Sequence, residues 1–363
     1  MAQFLLEYIS PEWSWLVYTV VAIVHCLLIF TLVLTAAAAF TWAERKVSAR
    51  LQDRLGPTRT GGRFGWLQSP ADGLKLICKE DLVPAEADSI FFRLAPYISF
   101  CASLAAYVVL PFESNWVAQN LDASAFFVLA ILGMEVFGVI IAGCCSGSKW
   151  SLYGGVRETA QVIAYEIPLG LCVVIPVMVA GTMNLSDIGD MQAGWFTNWL
   201  IFHDPFIFVT FFVYLTCATA SCNRAPFDLA EAESELVAGF LTEYSGFRWS
   251  IFFMAEYSSM LAVSLLGSIL FLGAWNGPIP ITSLVGLTYE NHALLGYIGG
   301  LIGMTNLITK GVVGVIFMMW LRWTLPRLRI DQVMATCLKY CIPIVCAMFL
   351  GSMFWTFLVR GGF

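Results

Sequence analysis

The residues of this chain that are best suited to moving protons are carboxylates inside or beside long apolar segments. Glu135, Glu166 and Glu256 fall inside segments apolar enough to lie in a membrane, and Lys310 falls inside another. A charged side chain is costly inside a bilayer and usually faces a polar interior. Any one of the four can instead pair with a neighbour and fix helix packing. Together they favour an internal path for protons or ions.

A second group of carboxylates lies in a connecting segment, residues 223–246. Its members are Asp228, Glu231, Glu233, Glu235 and Glu243. On a helix, positions 228, 231 and 235 share a face, where like charges disfavour full ionisation, so the group can hold and pass protons. Helix capping is the simpler explanation for Asp228 and Glu231, which have capping-box spacing. Capping does not explain the other three.

The composition indicates that membrane helices position these groups. Apolar residues make up 59% of the 363 residues and charged residues 12%, whereas soluble domains carry about 25% charged residues. Each helical crossing of a bilayer needs about 20 predominantly apolar residues. We therefore predict an all-α polytopic membrane protein, a single bundle of about eight transmembrane helices that forms one domain, residues 1–363. The predicted spans are 15–41, 94–112, 123–145, 160–179, 205–222, 247–273, 304–323 and 340–359.

Lys and Arg are distributed asymmetrically between the loops. With eight spans, 17 of the 19 basic residues fall on one side, in the loops or at the adjoining ends of the spans, as Arg248 and Arg322 do. Loops rich in Lys and Arg stay on the inner side of a membrane. Both termini are therefore expected on the outer side. The first span is too long for a signal peptide and has no cleavage pattern, so we interpret it as a permanent span.

Two inner-side loops, about residues 42–93 and 223–246, are longer than helix connections usually are, and such loops tend to carry function. In the first, Leu67, Ala71 and Leu74 recur at helical spacing with Cys78. This pattern predicts an amphipathic helix along the membrane interface. A surface helix that only covers the bundle is the alternative.

Arginines and carboxylates follow the first span directly. Arg45 and Arg54 stand there with Glu44 and Asp53. At a membrane boundary such groups can bind an anionic lipid, a partner protein or a polar headgroup. The residues alone leave these three possibilities open.

The pattern of Cys and His does not indicate a metal site. None of the 11 cysteines forms a CxxC pair, and the three histidines are scattered along the chain. Most of the cysteines lie inside predicted spans, where Cys packs as a small apolar residue. We expect no metal in this chain.

Several long motifs occur in a fixed order. The first inner loop contains Trp-Ala-Glu-Arg-Lys at 42–46, Arg-Leu-Gly-Pro-Thr-Arg at 54–59 and Leu-Gln-Ser-Pro-Ala-Asp-Gly-Leu-Lys-Leu-Ile-Cys-Lys-Glu at 67–80. The second contains Arg-Ala-Pro-Phe-Asp-Leu at 224–229, Glu-Ala-Glu-Ser-Glu-Leu-Val-Ala-Gly at 231–239 and Glu-Tyr-Ser-Gly at 243–246. Ala-Tyr-Glu-Ile-Pro at 164–168 and Phe-Phe-Met-Ala-Glu-Tyr at 252–257 also fit. Over nearly its whole length the chain resembles the H-subunit family of respiratory NADH-quinone oxidoreductase (complex I).

The resemblance implies a membrane component at the joint with a hydrophilic arm. Its inner loops would help form a quinone-binding chamber, with the amphipathic helix as the floor of the entrance, and its carboxylates would link the chamber to proton translocation. Carried over by position, the residues that line, gate or border the chamber are Arg45, Arg54, Phe227, Asp228, Glu231 and Glu233. The residues that continue the charge path are Glu166, Glu243 and Glu256.

The resemblance also implies substrate, cofactors and partners. Quinone is the expected substrate, and NADH, FMN and iron–sulfur clusters are expected on other subunits, which agrees with the lack here of a Gly-rich nucleotide motif and of clustered Cys ligands. This chain alone then holds no complete active site. The expected partners are the quinone-site subunits of the hydrophilic arm, the membrane-arm subunits and membrane lipid, with no nucleic acid.

Two departures from the family pattern concern the proton path. Many relatives carry Glu where this sequence has Ser221, and a neutral residue where it has Glu135. We hypothesise that Glu135 compensates for Ser221, which makes it a fourth member of the path. The signature at 67–80 also reads Leu-Gln-Ser where Leu-Gln-Pro is common, which leaves the shape of that turn open.

Two other functions are compatible with parts of the sequence. One is the anchor subunit of a membrane-bound hydrogenase, against which the complete pair of inner-loop signatures argues. The other is an independent proton or ion transporter, which the intramembrane carboxylates permit but which usually shows an inverted repeat. We expect a bacterial inner membrane location in preference to a mitochondrial one.

Overall fold

The computed structural model describes residues 14–229, 236–280, 282 and 293–360. This part of the chain is helical, and its only β pairing is one isolated bridge between Glu113 and Trp116. The helices are α1 (Ser14–Leu51), α2 (Gln68–Cys78), α3 (Ser89–Ala106), α4 (Ser124–Gly133), α5 (Glu135–Cys145), α6 (Lys149–Ala180), α7 (Leu185–Met191), α8 (Leu200–His203), α9 (Pro205–Ser221), α10 (Gly246–Phe271), α11 (Ala293–Thr324), α12 (Ile330–Ala335) and α13 (Ile342–Arg360).

The predicted all-α polytopic architecture is confirmed. In the described residues, seven helices are long and apolar enough to cross a membrane, and the fifth predicted span is an apolar helix of 17 residues, α9. The third span is divided, because α4 ends at Gly133 and α5 begins at Glu135. The fourth span begins earlier than predicted, at Lys149. This correction places Glu158 inside a long helix of the bundle.

Helix α10 forms the centre of the bundle. In the most apolar 18-residue stretch of α10, 83% of the residues are buried inside the protein, whereas in that of α1 only 17% are. A helix that is apolar on all sides is one that is surrounded. One cluster of buried apolar side chains, including Val33, Tyr165 and Met260, draws on all eight spans. Residues on α10 are therefore positioned by neighbours on every side.

The amphipathic segment of the first long loop is a helix, α2, as predicted. The Ser69 hydroxyl ties it to α1 by donating to the Ala38 carbonyl at 2.7 Å. Leu74 and Ile77 are exposed, at 64% and 62%, and they face away from the bundle. An apolar face turned outward suits a helix lying at a membrane interface.

The long loops meet at one end of the bundle, which we call the basic end. Arg248 at the start of α10 pairs with Asp81 at 2.8 Å, and the Ser245 hydroxyl donates to the Glu80 carbonyl at 3.2 Å. The Leu328 amide, after α11, donates to the Pro226 carbonyl at 3.0 Å. These contacts join residues that are far apart in the sequence, at the end of the bundle that holds most of the Lys and Arg residues.

Lys310 caps the far end of α10. Its Nζ donates to the carbonyls of Leu272, Ala274 and Asn276 at 2.6, 2.8 and 2.6 Å, and it lies 4.5 Å from the centre of the Trp199 ring. A cation at a helix C-terminus satisfies carbonyls that have no partner within the helix. At a rise of 1.5 Å per residue, Leu272 is about 24 Å along α10 from Glu256. The structure thus separates Lys310 from Glu256, one of the three glutamates with which the sequence grouped it.

We expect Lys310→Met to destabilise the chain by at least about 2 kcal/mol, because hydrogen bonds to a charged donor are lost and three carbonyls lose their partner. The measurement is the thermal unfolding midpoint in native membranes. Lys339→Met, which changes an exposed lysine, is the matched control. Equal midpoints for the two variants would show that the cap does not stabilise the bundle.

Candidate functional site

A group of buried and partly buried polar residues lies at the basic end, and we call it the charge network: Glu44, Arg224, Glu256, Tyr257 and Arg322. Arg224 is 3% exposed and Glu44 is 6% exposed. Arg224 Nε lies 2.7 Å from Glu256 Oε1, and Arg224 Nη1 lies 3.2 Å from Glu44 Oε1. Tyr257 and Arg322 both donate to the Glu44 carboxylate. The two guanidinium groups thus face two carboxylates.

Neighbouring groups keep Arg224 charged although it is buried. Burial alone would lower its pKa, but Glu256, Tyr257 and Glu44 together raise the pKa well above the usual value. The Arg224 guanidinium also lies 4.6 Å from the centre of the Tyr257 ring, a distance typical of a cation–π contact. A permanently charged arginine therefore holds Glu44 at the end of α1 close to Glu256 on α10.

The turn after α9 places Arg224 in this position. Asn223 has φ of +50°, a conformation that Asn tolerates better than most residues. The Arg224 amide then donates to the Thr219 carbonyl at 3.2 Å. The chain turns sharply at the end of α9, and the arginine side chain enters the bundle.

A cavity adjoins the charge network, and we call it the carboxylate cavity. Its volume is about 60 Å³, which is enough for several water molecules. Its polar lining consists of Ser99, Glu135, Glu158, Ser221, Asn223, Glu256 and Ser259. Three carboxylates from α5, α6 and α10 therefore face one space inside the bundle.

A close approach of backbones shapes the wall of this cavity. A Cβ atom on Gly154 of α6 would lie 2.6 Å from the Gly239 Cα, which is too close for any other side chain. The 3₁₀ turn Gly239–Leu241 consequently packs directly on α6, and Phe240 and Leu241 line the cavity. Small residues at such crossings are typical of membrane helices.

Glu256 belongs to both the charge network and the carboxylate cavity. It pairs with Arg224 and also lines the cavity with Glu135. A change of charge on one side of such a carboxylate alters its proton affinity and that of its neighbours. The arrangement can therefore transmit an electrostatic change at the basic end to groups deeper in the membrane.

Comparison with known proteins identifies the family. Residues 24–353 match the family described as NADH dehydrogenase. The chain is 43% identical over 329 residues to the NADH-quinone oxidoreductase H subunit of Chlorobium luteolum, covering 89% of this chain and 87% of that protein. It is 40% identical over 323 residues to the H subunit of Anaeromyxobacter dehalogenans, covering 88% and 78%. It is also 39% identical over 356 residues to the H subunit numbered 2 of Cytophaga hutchinsonii, covering 91% and 97%.

The chain belongs to the H-subunit family of NADH-quinone oxidoreductase. It is a membrane component of an oxidoreductase complex, as its sequence motifs indicated. These relatives are all named as the H subunit, so the hydrogenase-anchor and independent-transporter alternatives gain no support from them.

In the structure, the residues expected to form the chamber lie in different surroundings. Phe227 is 5% exposed, with its ring centre 5.4 Å from that of Tyr165. Asp228 is 6% exposed, and its Oδ2 pairs with Arg327 Nη2 at 2.8 Å. Arg45 is half exposed and pairs with Asp72 of α2. Glu231 and Glu233 lie outside the described residues.

Arg54 lies apart from these residues. It follows the end of α1 and is exposed, and its Nε donates to Gln52 Oε1 at 2.8 Å. This contact keeps its side chain beside the end of its own helix and does not join it to Phe227 or Asp228. Its role in the chamber therefore stays a prediction.

The expected path residues are brought together only in part. Glu135 and Glu256 share the carboxylate cavity. Glu166 lies at the break between α4 and α5, where its Oε1 is 2.7 Å from the position that a Cβ on Gly133 would occupy. Glu243 is half-buried after the 3₁₀ turn and, within the described ranges, does not line the cavity.

Several members of the site were not among the candidates drawn from the sequence, and two of them, Arg224 and Tyr257, appeared only inside the quoted motifs. Glu44 was noted at the membrane boundary without a partner, and Arg322 was counted only as a basic loop residue. Glu158 was left in a loop because the predicted span began at residue 160. A helical window extended toward Lys149 would have included Glu158. In the described residues, no group of three or more His, Cys, Asp or Glu residues is placed to hold a metal ion.

Proposed function

We propose that this chain couples quinone reduction at its basic end to proton movement through its carboxylates. The observation that carries the proposal is the double position of Glu256, which pairs with Arg224 and lines the carboxylate cavity. Glu256 thereby connects a polar region beside the loops to protonatable groups inside the bundle. Such a joint is what electrostatic coupling between two sites requires.

The proposed quinone chamber lies at the basic end. Its residues on this chain are Arg45, Arg54, Phe227, Asp228, Glu231 and Glu233. Burial of Phe227 and of Asp228, which pairs with the exposed Arg327, supports a structured wall with a charged group at its edge. The exposed apolar face of α2, with Leu74 and Ile77, supports entry of an apolar tail from the membrane. Quinone is the substrate, and its electrons come from other subunits of the complex.

The proposed coupling is electrostatic. Electrons that other subunits deliver add negative charge to the quinone, and the uptake of protons then neutralises this charge. While the charge persists, it raises the proton affinity of nearby carboxylates through the charge network. The carboxylates that respond, and pass protons on, are Glu135, Glu166, Glu243 and Glu256.

The proposal assigns the remaining redox groups and contacts to partners. NADH, FMN and iron–sulfur clusters are carried by other subunits of the complex. The basic end faces the hydrophilic-arm quinone-site subunits, and the exposed apolar helices face membrane-arm subunits and lipid. The chain lies in a bacterial inner membrane with both termini on the outer side.

We expect Glu256→Gln to lower quinone-dependent NADH oxidation and proton pumping together, by about tenfold or more, the scale of a lost proton-transfer group. Both rates are measured in membrane vesicles, with the amount of assembled complex determined in parallel. NADH oxidation by a water-soluble electron acceptor should persist, because it bypasses this chain.

Glu135→Gln is the second variant, since it removes a cavity carboxylate without breaking the Arg224 ion pair. Asp122→Asn, which neutralises an exposed acidic residue that does not line the cavity, is the control. Wild-type pumping in assembled complexes of both Glu256→Gln and Glu135→Gln would contradict the proposed coupling. It would also contradict the hypothesis that Glu135 compensates for Ser221.

A further inference from the structure

We infer that Glu158 is a proton-carrying residue of the carboxylate cavity. The inference rests on the proposed function and adds a residue to it that none of the sequence motifs includes. Glu158 is 6% exposed and lies on α6. It lines the same cavity as Glu135, Glu256 and Ser221.

A chain of side-chain amides fixes the position of Glu158. Gln161 Nε2 donates to the Ala220 carbonyl at 2.9 Å and to Asn223 Oδ1 at 3.0 Å. Because Asn223 Oδ1 accepts, its Nδ2 is the donor, and it lies 2.7 Å from Glu158 Oε1. The carboxylate on α6 is therefore held directly against the turn that carries Arg224.

This geometry links the charge network to the cavity by a second route. Asn223 is the neighbour of Arg224 in the sequence, and Arg224 pairs with both Glu44 and Glu256. A shift of Arg224 would move the Asn223 amide and so change the hydrogen bond on Glu158. The proton affinity of Glu158 would follow, since a hydrogen bond to the charged form of a carboxylate favours that form.

The hydrogen bond with Asn223 does not by itself require a carboxylate at this position. The oxygen of a Gln side chain would accept the same hydrogen bond from Asn223, without the free-energy penalty of burying a charge. Buried ionisable residues inside a membrane generally mark ion or proton pathways. A water-sized space next to Glu158 supplies the connection to Glu135 and Glu256.

The test compares three variants in the assembled complex. Glu158→Gln keeps the acceptor for Asn223 but removes the titratable proton, and we expect quinone-dependent proton pumping to fall about tenfold or more. Glu158→Asp should retain part of the pumping. Glu158→Gln combined with Ser221→Glu returns a carboxylate to the same cavity from α9 and should restore pumping. Loss of a merely structural contact would not be repaired by Ser221→Glu.

The outcomes separate this inference from the proposed function. Normal pumping by Glu158→Gln, with loss of pumping in Glu256→Gln, would overturn the inference alone. Normal pumping by Glu158→Gln, Glu256→Gln and Glu135→Gln would overturn the proposed function as well. If the complex with Glu158→Gln does not assemble, the double variant Glu158→Gln with Ser221→Glu tests the inference. Recovered assembly with recovered pumping supports the inference, and assembly without pumping, or no assembly, overturns it.

Discussion

Arg224→Met should prevent stable assembly of this chain into its complex. The arginine is 3% exposed and pairs with Glu44 and Glu256. Its removal leaves Glu256 without this ion pair inside the bundle. Breaking a buried ion pair by deleting one partner destabilises a protein by about 3–5 kcal/mol, a large part of the total stability of most domains. The measurement is the fraction of chain recovered in the assembled complex from native membranes.

Two comparisons make this result specific. Arg93→Met, which removes an exposed arginine, should leave the assembled fraction close to that of the wild type. Arg224→Lys should be intermediate at best, because lysine lacks the planar fork that reaches two carboxylates at once. Normal assembly of Arg224→Met would mean that the charge network does not hold α1, α10 and the turn after α9 together.

Glu44→Gln should destabilise the protein by a similar amount, because it removes an anion from the charge network, whereas Arg224→Met removes a cation. Its carboxylate accepts hydrogen bonds from Arg224, Arg322 and Tyr257. Neutralising it leaves two guanidinium groups with Glu256 as the remaining carboxylate of the network. We expect a loss of about 3–5 kcal/mol, measured as the shift in thermal unfolding of the assembled complex.

A double variant tests whether charge balance is the cause. Glu44→Gln combined with Arg322→Gln restores equal numbers of cations and anions in the charge network. The destabilisation should then be smaller than the sum of the two single effects, which a double-mutant cycle measures directly. Additive effects would show that Glu44 and Arg322 act independently, against the contact that the structure records between them.

The membrane spans could be predicted because they depend on local composition. Each has a run of apolar residues as long as a bilayer is thick, and the alternation of basic loops sets their number. The first and last residues of the spans were predicted less accurately than their number. Helix α6 begins at Lys149, and its first turns mix apolar residues with charged and small ones, which weakens the hydropathy signal there. Such a helical extension is stabilised by packing against the rest of the bundle, which the sequence does not display.

The pairing of the site residues could not be predicted. Glu44 and Arg224 are 180 positions apart, and Glu44 and Arg322 are 278 apart. No spacing rule within one helix reaches that far. The resemblance of the motifs to the family indicated Arg45, Phe227 and Asp228 as site residues. It did not show that Glu44, the neighbour of Arg45, is the residue whose side chain enters the bundle. Hydropathy grouped Lys310 with the glutamates, whereas its three carbonyl partners give it a capping position.

Ser221 illustrates the same limit. The sequence led to the hypothesis that Glu135 compensates for it, and both residues do line the carboxylate cavity. Glu158 lines the cavity too. Its hydrogen-bond donor Asn223 follows Ser221 by two residues in the sequence. The compensation by Glu135 stays a prediction, which the Glu135→Gln and Glu158→Gln variants address separately.

Infrared difference spectroscopy of the assembled complex, recorded on reduction of bound quinone, tests the central claim most directly. If quinone reduction changes the protonation of buried carboxylates, the wild-type spectrum contains carboxyl signals that weaken in Glu256→Gln and Glu135→Gln but persist in Asp122→Asn. Identical carboxyl signals in all four proteins would contradict electrostatic coupling through the carboxylate cavity.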